Sequence, residues 1–215
     1  SLYNMDVLPY CDLLVSSLTK YASYRGDVMI GALAINPKSQ YYGDLVLRTS
    51  RFYAPPYRRD LCRLAHEMEA SEIAVQAMNS NAARLATFLK GHPAIKKVFF
   101  AGDSDHFNEL SRGAAATGAV ISVELNGSME VFYDSIELLK GPSFGVEFTL
   151  LSPFMYLAHY DLVNDCIGRE FLSSVGIAPE LIRISVGTEN YEEIEAVFDS
   201  ALKDLSHSAN NDKRS

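Results

Sequence analysis

Cys11-Asp-Leu-Leu-Val-Ser-Ser-Leu-Thr19 runs into Lys20 and, past the turn signal Gly26-Asp27, into Val28-Met-Ile-Gly-Ala-Leu-Ala-Ile35. This stretch decides the fold. Its first run is apolar without clean alternation, the pattern of a strand in a sheet covered on both faces. The second run stops at Asn36-Pro37. Two such strands with a tight connection are expected to pair as antiparallel neighbours. A lysine at the end of a buried strand is unusual, because burial disfavours its charged form. A neutral amine is what Schiff-base chemistry requires. Ser17 and Thr19, three residues and one residue before Lys20, carry hydroxyls suited to donating hydrogen bonds to a phosphate. On the residues alone, Ser and Thr beside Lys at a strand end are more often an ordinary exposed loop.

Working outward, Ser39–Pro56 reads as irregular or briefly helical, and Pro55-Pro56 forbids a helix running through it. Beyond it, Leu61, Leu64, Met68, Val75, Met78, Ala82, Leu85 and Leu89 recur at threes, fours and sevens. That is one face of a long helix from Tyr57 to Lys90, ended by Gly91 and Pro93. At 1.5 Å per residue it would span about 50 Å and bridge two domains, with the boundary near residue 56. Ile95–Phe100, Ala119–Leu125 and Leu181–Val186 read as strands. Ser128–Lys140 reads as a helix with Ser128 as N-cap and Gly141 as stop. Asn190 with Glu193 suggests a capping box for a last helix to about Leu205, and polar residues 206–215 are expected to fray. The sequence contains no internal repeat. The fold class expected from these elements is an α/β segment followed by a small α+β domain.

The whole sequence has 215 residues, of which 48% are apolar and 21% charged, so a disordered chain is excluded. Nineteen basic against 27 acidic residues leave a net charge of −8. No Lys/Arg cluster stands out, which argues against nucleic acid or an anionic membrane as partner. No apolar run reaches the roughly 18 residues of a bilayer span, and Ser1–Tyr10 shows no signal peptide. Cys11, Cys62 and Cys166 are far apart, which fits a reducing cytosol, and they read as small apolar fillers. His66-Glu67-Met68-Glu69 lacks a second histidine four residues on and reads as a solvated helix face. Asp103-Ser-Asp105-His106 reads as a polar loop with weak potential for a cation. His159 reads as a hydrogen-bonded, partly buried histidine. No metal site is expected.

Asp12-Leu-Leu-Val-Ser-Ser-Leu-Thr-Lys20-Tyr21, with Asp27-Val28-Met29 and Gly31, resembles the lysine segment of the Cys/Met-metabolism (trans-sulfuration) family of pyridoxal-phosphate (PLP) enzymes. Lys140-Gly-Pro-Ser143-Phe-Gly145-Val-Glu-Phe-Thr149-Leu resembles the family's serine-glycine loop. Leu181-Ile-Arg183-Ile-Ser-Val-Gly187-Thr-Glu189 is similar to its arginine strand. Asn79–Leu89, His92-Pro93 and Lys97-Val98-Phe99 also fit, so the matches span nearly the whole chain in family order. Asp6-Val-Leu-Pro and Leu157-Ala-His-Tyr160 are similar in local style to fungal-type cystathionine γ-synthases.

The resemblance implies the C-terminal part of a fold-type I PLP-dependent transferase. Residues 1–56 would be the remainder of the large cofactor-binding domain, 57–205 the linking helix and small α+β domain, and 206–215 a polar tail. It also implies roles. Lys20 would hold the cofactor as a Schiff base and shuttle protons at the substrate α and β carbons. Ser17 and Thr19 would hold the cofactor phosphate. Arg183 would clamp the substrate α-carboxylate, and Ser143 would sit near the lysine and position. Read alone, Ser143 is as well a serine capping a turn beside Pro142. The implied activity is cystathionine γ-synthase-type replacement on an acylated homoserine by cysteine, in a cytoplasmic homo-oligomer. Cystathionine β- or γ-lyase and methionine γ-lyase use the same parts.

Three residues depart from the family pattern. Tyr24 stands where glycine is usual, Arg25 where histidine or a small polar residue is common, and Ile30 in place of the first of two glycines. Tyr24 is expected to narrow or reshape a pocket. Family members are close to twice this length, so the chain is expected to be the C-terminal half, as a truncated or processed product or a short gene. The rival expectation is a non-catalytic fragment that folds and self-associates through surface left uncovered.

Overall fold

The structure, a computed structural model, describes residues 3–212, with side chains as far as residue 205. Strands β1 (Leu13–Ser17) and β2 (Gly31–Ile35) pair antiparallel, from Leu13 opposite Ile35 to Ser17 opposite Gly31. They are not covered on both faces as their composition suggests. Val15 and Leu33 sit directly opposite each other and are 70% and 48% exposed. Two strands alone make a ribbon, and within the described residues only one side is packed. Ala22, Val28, Ile30 and Leu64 form a small cluster beneath it.

Helix α1 (Tyr42–Arg51) follows and buries no residue. Helix α2 (Arg58–Gly91) is 34 residues long and ends where His92 turns extended ahead of Pro93. Its two halves differ. Val75, Met78, Ala82, Leu85, Ala86 and Leu89 are fully buried in the main core, whereas the first half buries only Leu64, Glu67 and Ser71. Glu67 is 2% exposed while His66 and Glu69 beside it face water, so the solvated-face reading fails at one residue of that run.

The main sheet is built from β3 (Ile95–Phe100), β4 (Val120–Leu125), β5 (Leu139–Lys140), β6 (Leu150–Ser152) and β7 (Ile182–Ser185), in the order β3-β4-β7-β6-β5. All neighbours are antiparallel except β5 with β6. Edge strand β3 carries Lys96 and Lys97, side chains that discourage further strand pairing. Between β3 and β4 lies α3 (Asp105–Leu110), capped by Ser104, whose side chain accepts the Phe107 N–H. The Asp103–His106 run is therefore not a loop as read from the sequence but the cap and first residues of α3, with Asp103 paired to Lys90 at 2.6 Å.

Helix α4 (Met129–Ser135) starts at the expected cap, where the Ser128 hydroxyl accepts the Val131 N–H. It stops six residues short of Gly141. Ile136 is buried and extended, and the chain then straightens into edge strand β5. Short helices α5 (Phe154–Ala158), α6 (Tyr160–Asn164) and α7 (Cys166–Ser174) link β6 to β7 around a satellite core of Met155, Val163 and Leu172. Helix α8 (Tyr191–Asp212) begins where the Asn190 carboxamide oxygen accepts the Glu192 N–H. It runs past Leu205 because the sequence from there to Asp212 contains no Gly or Pro, so the expected fraying is corrected up to that point. Residues 213–215 lie outside the described residues.

Helices α2, α4 and α8 pack together around the main core, with Phe132 and Phe198 rings 6.4 Å apart. Cys62 and Cys166 are exposed and Cys11 half-buried, so none fills the core as read from the sequence. His159 is likewise exposed, its ring edge-on to Phe154 at 5.8 Å. No described helix is long and apolar enough to cross a membrane.

Candidate active site

The chain leaves β1 at Ser17 and folds tightly back. Leu18 and Thr19 both donate their N–H to the Ile30 carbonyl, at 2.9 and 3.2 Å, and the Ser23 N–H returns to the Leu18 carbonyl at 3.0 Å. Lys20 sits at the tip of this turn. The next residue, Tyr21, has φ +53°, a left-handed conformation that costs a non-glycine residue free energy and is kept only where packing over-determines it. Here the packing is Gly145. The Tyr21 N–H donates to the Gly145 carbonyl at 2.7 Å, and a Cβ on Gly145 would lie 2.9 Å from the Tyr21 ring. Gly145, itself at φ +68°, donates its N–H to the Ser185 hydroxyl at 2.9 Å. The lysine turn is thereby keyed into the loop between β5 and β6, and through it onto β7.

That loop carries Ser143. The Lys20 Nζ donates to the Ser143 Oγ at 2.9 Å and lies 5.4 Å from the centre of the Phe144 ring. Arg183, on β7, alternates with buried Ile182 and Ile184, so it projects from the sheet face opposite to theirs. Its guanidinium donates to the Pro142 carbonyl and, at 3.3 Å, to the Ser143 carbonyl. The Phe144 and Phe154 rings flank it at 5.5 and 4.3 Å. Burial lowers the Arg183 pKa from its ordinary value without threatening its charge near neutrality. Three of the five sequence-derived residues, Lys20, Ser143 and Arg183, thus meet around one phenyl ring.

The other two lie at the base of the turn. Ser17 is exposed and, with Ser16, Leu18, Lys20 and Tyr21, lines a cleft of about 150 Å³. The Thr19 hydroxyl is engaged: it accepts the Ile30 N–H at 3.0 Å and makes a long 3.4 Å donation to the Ile30 carbonyl. Its proton is weakly held and free to turn to a better acceptor without losing the first bond. Tyr24 does not line the Lys20 cleft. It packs against the main core and takes the Glu147 N–H on its carbonyl at 2.7 Å.

The sequence reading passed over the residues that fix this geometry. Glu189 accepts both the backbone N–H and, at 3.0 Å, the hydroxyl of Thr149, closing the far end of the Ser143 loop. Asn81 of α2 donates to the Gly187 and Glu189 carbonyls at 3.1 and 2.9 Å. Phe154 stands only two residues after β6, which was its one available signal. Among the described residues, no three His, Cys, Asp or Glu side chains cluster as metal ligands would.

A profile of the family described as "Cys/Met metabolism PLP-dependent enzyme" matches residues 4–203. The chain belongs to this family. It is 37% identical over 203 residues to the L-2-amino-4-chloropent-4-enoate dechlorinase/desaturase of Streptantibioticus cattleyicolor, covering 93% of this chain and 41% of that protein. It is 34% identical over 206 residues to the cystathionine γ-synthase of Neurospora crassa, covering 93% and 32%. Among solved structures it superposes on yeast cystathionine γ-lyase with a TM-score of 0.82 at 25% identity, over 96% of this chain and 53% of that one. The chain therefore spans a third to a half of the length of the relatives it matches, and its α/β fold is that of the corresponding part of fold-type I PLP enzymes. The family depends on PLP. An amine beside a hydroxyl, an exposed Ser17 and a Thr19 proton open to redirection are compatible with holding that group.

Proposed function

We propose that this chain supplies the amine, the phosphate-binding hydroxyls and the carboxylate clamp of a PLP enzyme acting on an amino acid with a leaving group on its γ carbon. The type is cystathionine γ-synthase, replacing the acyloxy group of an acylated homoserine with cysteine. The observation that carries the reading is the convergence of the Lys20 amine and the Arg183 guanidinium on the Pro142–Phe144 loop. PLP, when bound, supplies the electron sink that acidifies C–H bonds next to the substrate amine. Lys20 attaches it and moves protons at the α and β carbons. Ser143 accepts a hydrogen bond from the amine and so orients it. Ser17 and Thr19 donate to the phosphate. Arg183 pairs with the α-carboxylate through a planar fork that lysine lacks, and Phe144 and Phe154 keep water from that pair.

The name of the Streptantibioticus relative places an amine on carbon 2 and chlorine on carbon 4, which is again a γ leaving group. That agreement favours γ chemistry. The lyase branch, cystathionine β- or γ-lyase or methionine γ-lyase, is the second reading, motivated by relatives so named. In the same proposal, residues 1–56 belong to the large domain and 57–205 form the linking helix and small domain. A cytoplasmic homo-oligomer belongs to the same proposal, and exposed Tyr42, Leu47 and Phe52 support the association.

Borohydride reduction after adding PLP, with peptide mapping and Lys20→Ala as control, tests the site. Saturable labelling confined to Lys20 is expected, and labelling spread over surface lysines overturns the assignment. With the full-length protein, acylhomoserine plus cysteine is expected to give cystathionine. Turnover of cystathionine or methionine alone, without that product, moves the protein to the lyase branch.

A further inference from the structure

We infer that Glu67 is a positioning residue for Lys20. The inference rests on the reading of Lys20 as the reacting amine and names what holds it in place. Glu67 is a carboxylate only 2% exposed on a helix whose neighbouring positions face water, and such burial is costly unless partners compensate for it. The partners are two. Its Oε2 accepts the Ser23 hydroxyl at 2.9 Å, and Ser23 is itself fully buried three residues after Lys20. Its Oε1 lies 2.8 Å from Arg63 Nε as an ion pair without a hydrogen bond, because the Arg63 guanidinium donates to Asp27, at 2.9 Å from Nε and 2.8 Å from its terminal nitrogen, on the far side of the same turn. The segment that follows Lys20 is thus fastened to α2 at two points, Ser23 and Asp27.

The same helix holds the other half of the site. Fourteen residues on, about 21 Å along the axis, Asn81 grips the Gly187 and Glu189 carbonyls. Glu189 pins Thr149 at the end of the Ser143 loop. The 2.9 Å amine–hydroxyl contact is therefore referenced on both sides to one rigid helix. Loosening the Glu67 anchor frees the lysine side while the Ser143 side stays in place.

The rate of acylation of Lys20 by acetic anhydride tests this, measured by peptide mass spectrometry against Lys140 as internal reference. The intact protein is used, stripped of cofactor. Glu67→Ala is expected to raise the relative Lys20 rate about tenfold, as loss of a hydrogen bond to a charged group would. Glu67→Gln keeps an acceptor for Ser23 and is expected to stay within about twofold of the parent. Asn79→Ala breaks another buried polar pair on α2, the reciprocal amide contact with Asn4 at 3.1 and 2.7 Å. It is expected to lower Tm and leave the Lys20 rate unchanged. If Glu67→Ala moves the Lys20 rate no more than Asn79→Ala does, Glu67 only stabilises the fold and the inference falls. Ser23→Ala, which deletes one hydroxyl, decides the matter by the same criterion if Glu67→Ala does not fold. Acylation needs no cofactor, so this result stands apart from the borohydride mapping, and either reading can fail alone.

Discussion

At one end of α2, the β1–β2 ribbon exposes Val15 and Leu33 above a cluster of four buried residues, and α1 exposes Tyr42 and Leu47, with Phe52 exposed just after it. At the other end, β3–β7 with α4 and α8 enclose a core in which Phe132, Phe198, Leu151, Ile182 and Ile184 are almost wholly inaccessible. Lys20 comes from the first region and Arg183 from the second. Lys20 is held by polar and backbone keys in the lightly packed region, whereas Arg183 stands on a strand fixed by the apolar burial of Ile182 and Ile184. The contrast teaches that stability and site geometry are separable here, and that different substitutions should reach each.

The largest effect expected is from Phe198→Ala, which empties a ring's volume in the dense core and should cost about 3–5 kcal/mol in denaturant unfolding. Leu33→Ala, on the bare face of the ribbon, should cost less than about 0.5 kcal/mol. A comparable loss at both sites would mean that the ribbon face is covered in solution. Next is Gly145→Ala, where the two regions are keyed together. A left-handed alanine costs about 1–2 kcal/mol by itself, and its Cβ would press on the Tyr21 ring. The Lys20–Ser143 contact should suffer as well, so Lys20 acylation should quicken in this variant although neither residue is altered. An unchanged rate would show that the Tyr21–Gly145 contact does not set the lysine.

How much of this was readable beforehand follows the same division. The antiparallel pairing of β1 with β2, the long α2 and the strands β3, β4 and β7 carry local signals of period, cap and breaker, and they lie where expected within a residue or two, except that β2 begins at Gly31, three residues after Val28. Lys20, Ser143 and Arg183 stand in motifs whose spacing survives translation into space. What failed depended on neighbours far away in sequence. Ile136 ends α4 because the core reaches that residue, not because a breaker does. Glu67, between exposed His66 and Glu69, has no local mark of burial, since Ser23, far away in sequence, becomes its partner only after folding. The exposure of Val15 and Leu33 could not be read from composition, because an apolar run announces a need for cover and not its presence.

A smaller, pH-dependent difference should separate two tyrosines of the main core. Burial raises the pKa of Tyr21, and burial followed by a hydrogen bond with Glu195 raises that of Tyr191. In each case the fold retains a phenolic proton that the unfolded chain loses near pH 10. Their contribution is therefore complete below about pH 10 and is lost as pH rises through the folded values. Tm should be flat from pH 8 to 9.5 and fall beyond it, and Tyr21→Phe should flatten part of that fall. If Tyr21→Phe leaves the alkaline slope untouched, the Tyr21 ring is not sealed between the lysine turn and the core.

The smallest effects should show no regional difference at all. Asp44 pairs with Arg48 at 2.8 Å on α1, and Asp199 pairs with Lys203 on α8, each with the acid four residues before the base. Both pairs face solvent, so each should contribute about 0.3–0.5 kcal/mol at low ionic strength and nearly nothing in 1 M salt. The readouts should differ even so. Helix α8 is tied to the core through Ile194, Phe198 and Leu202, so Lys203→Ala should appear as a small shift of the global unfolding midpoint. Helix α1 buries nothing, so Arg48→Ala should leave that midpoint alone and speed amide exchange within residues 42–51. An equal global shift from Arg48→Ala would mean that α1 is docked and unfolds with the core, which would erase the contrast between the two ends of α2 and make the exposed ribbon an interface already in use.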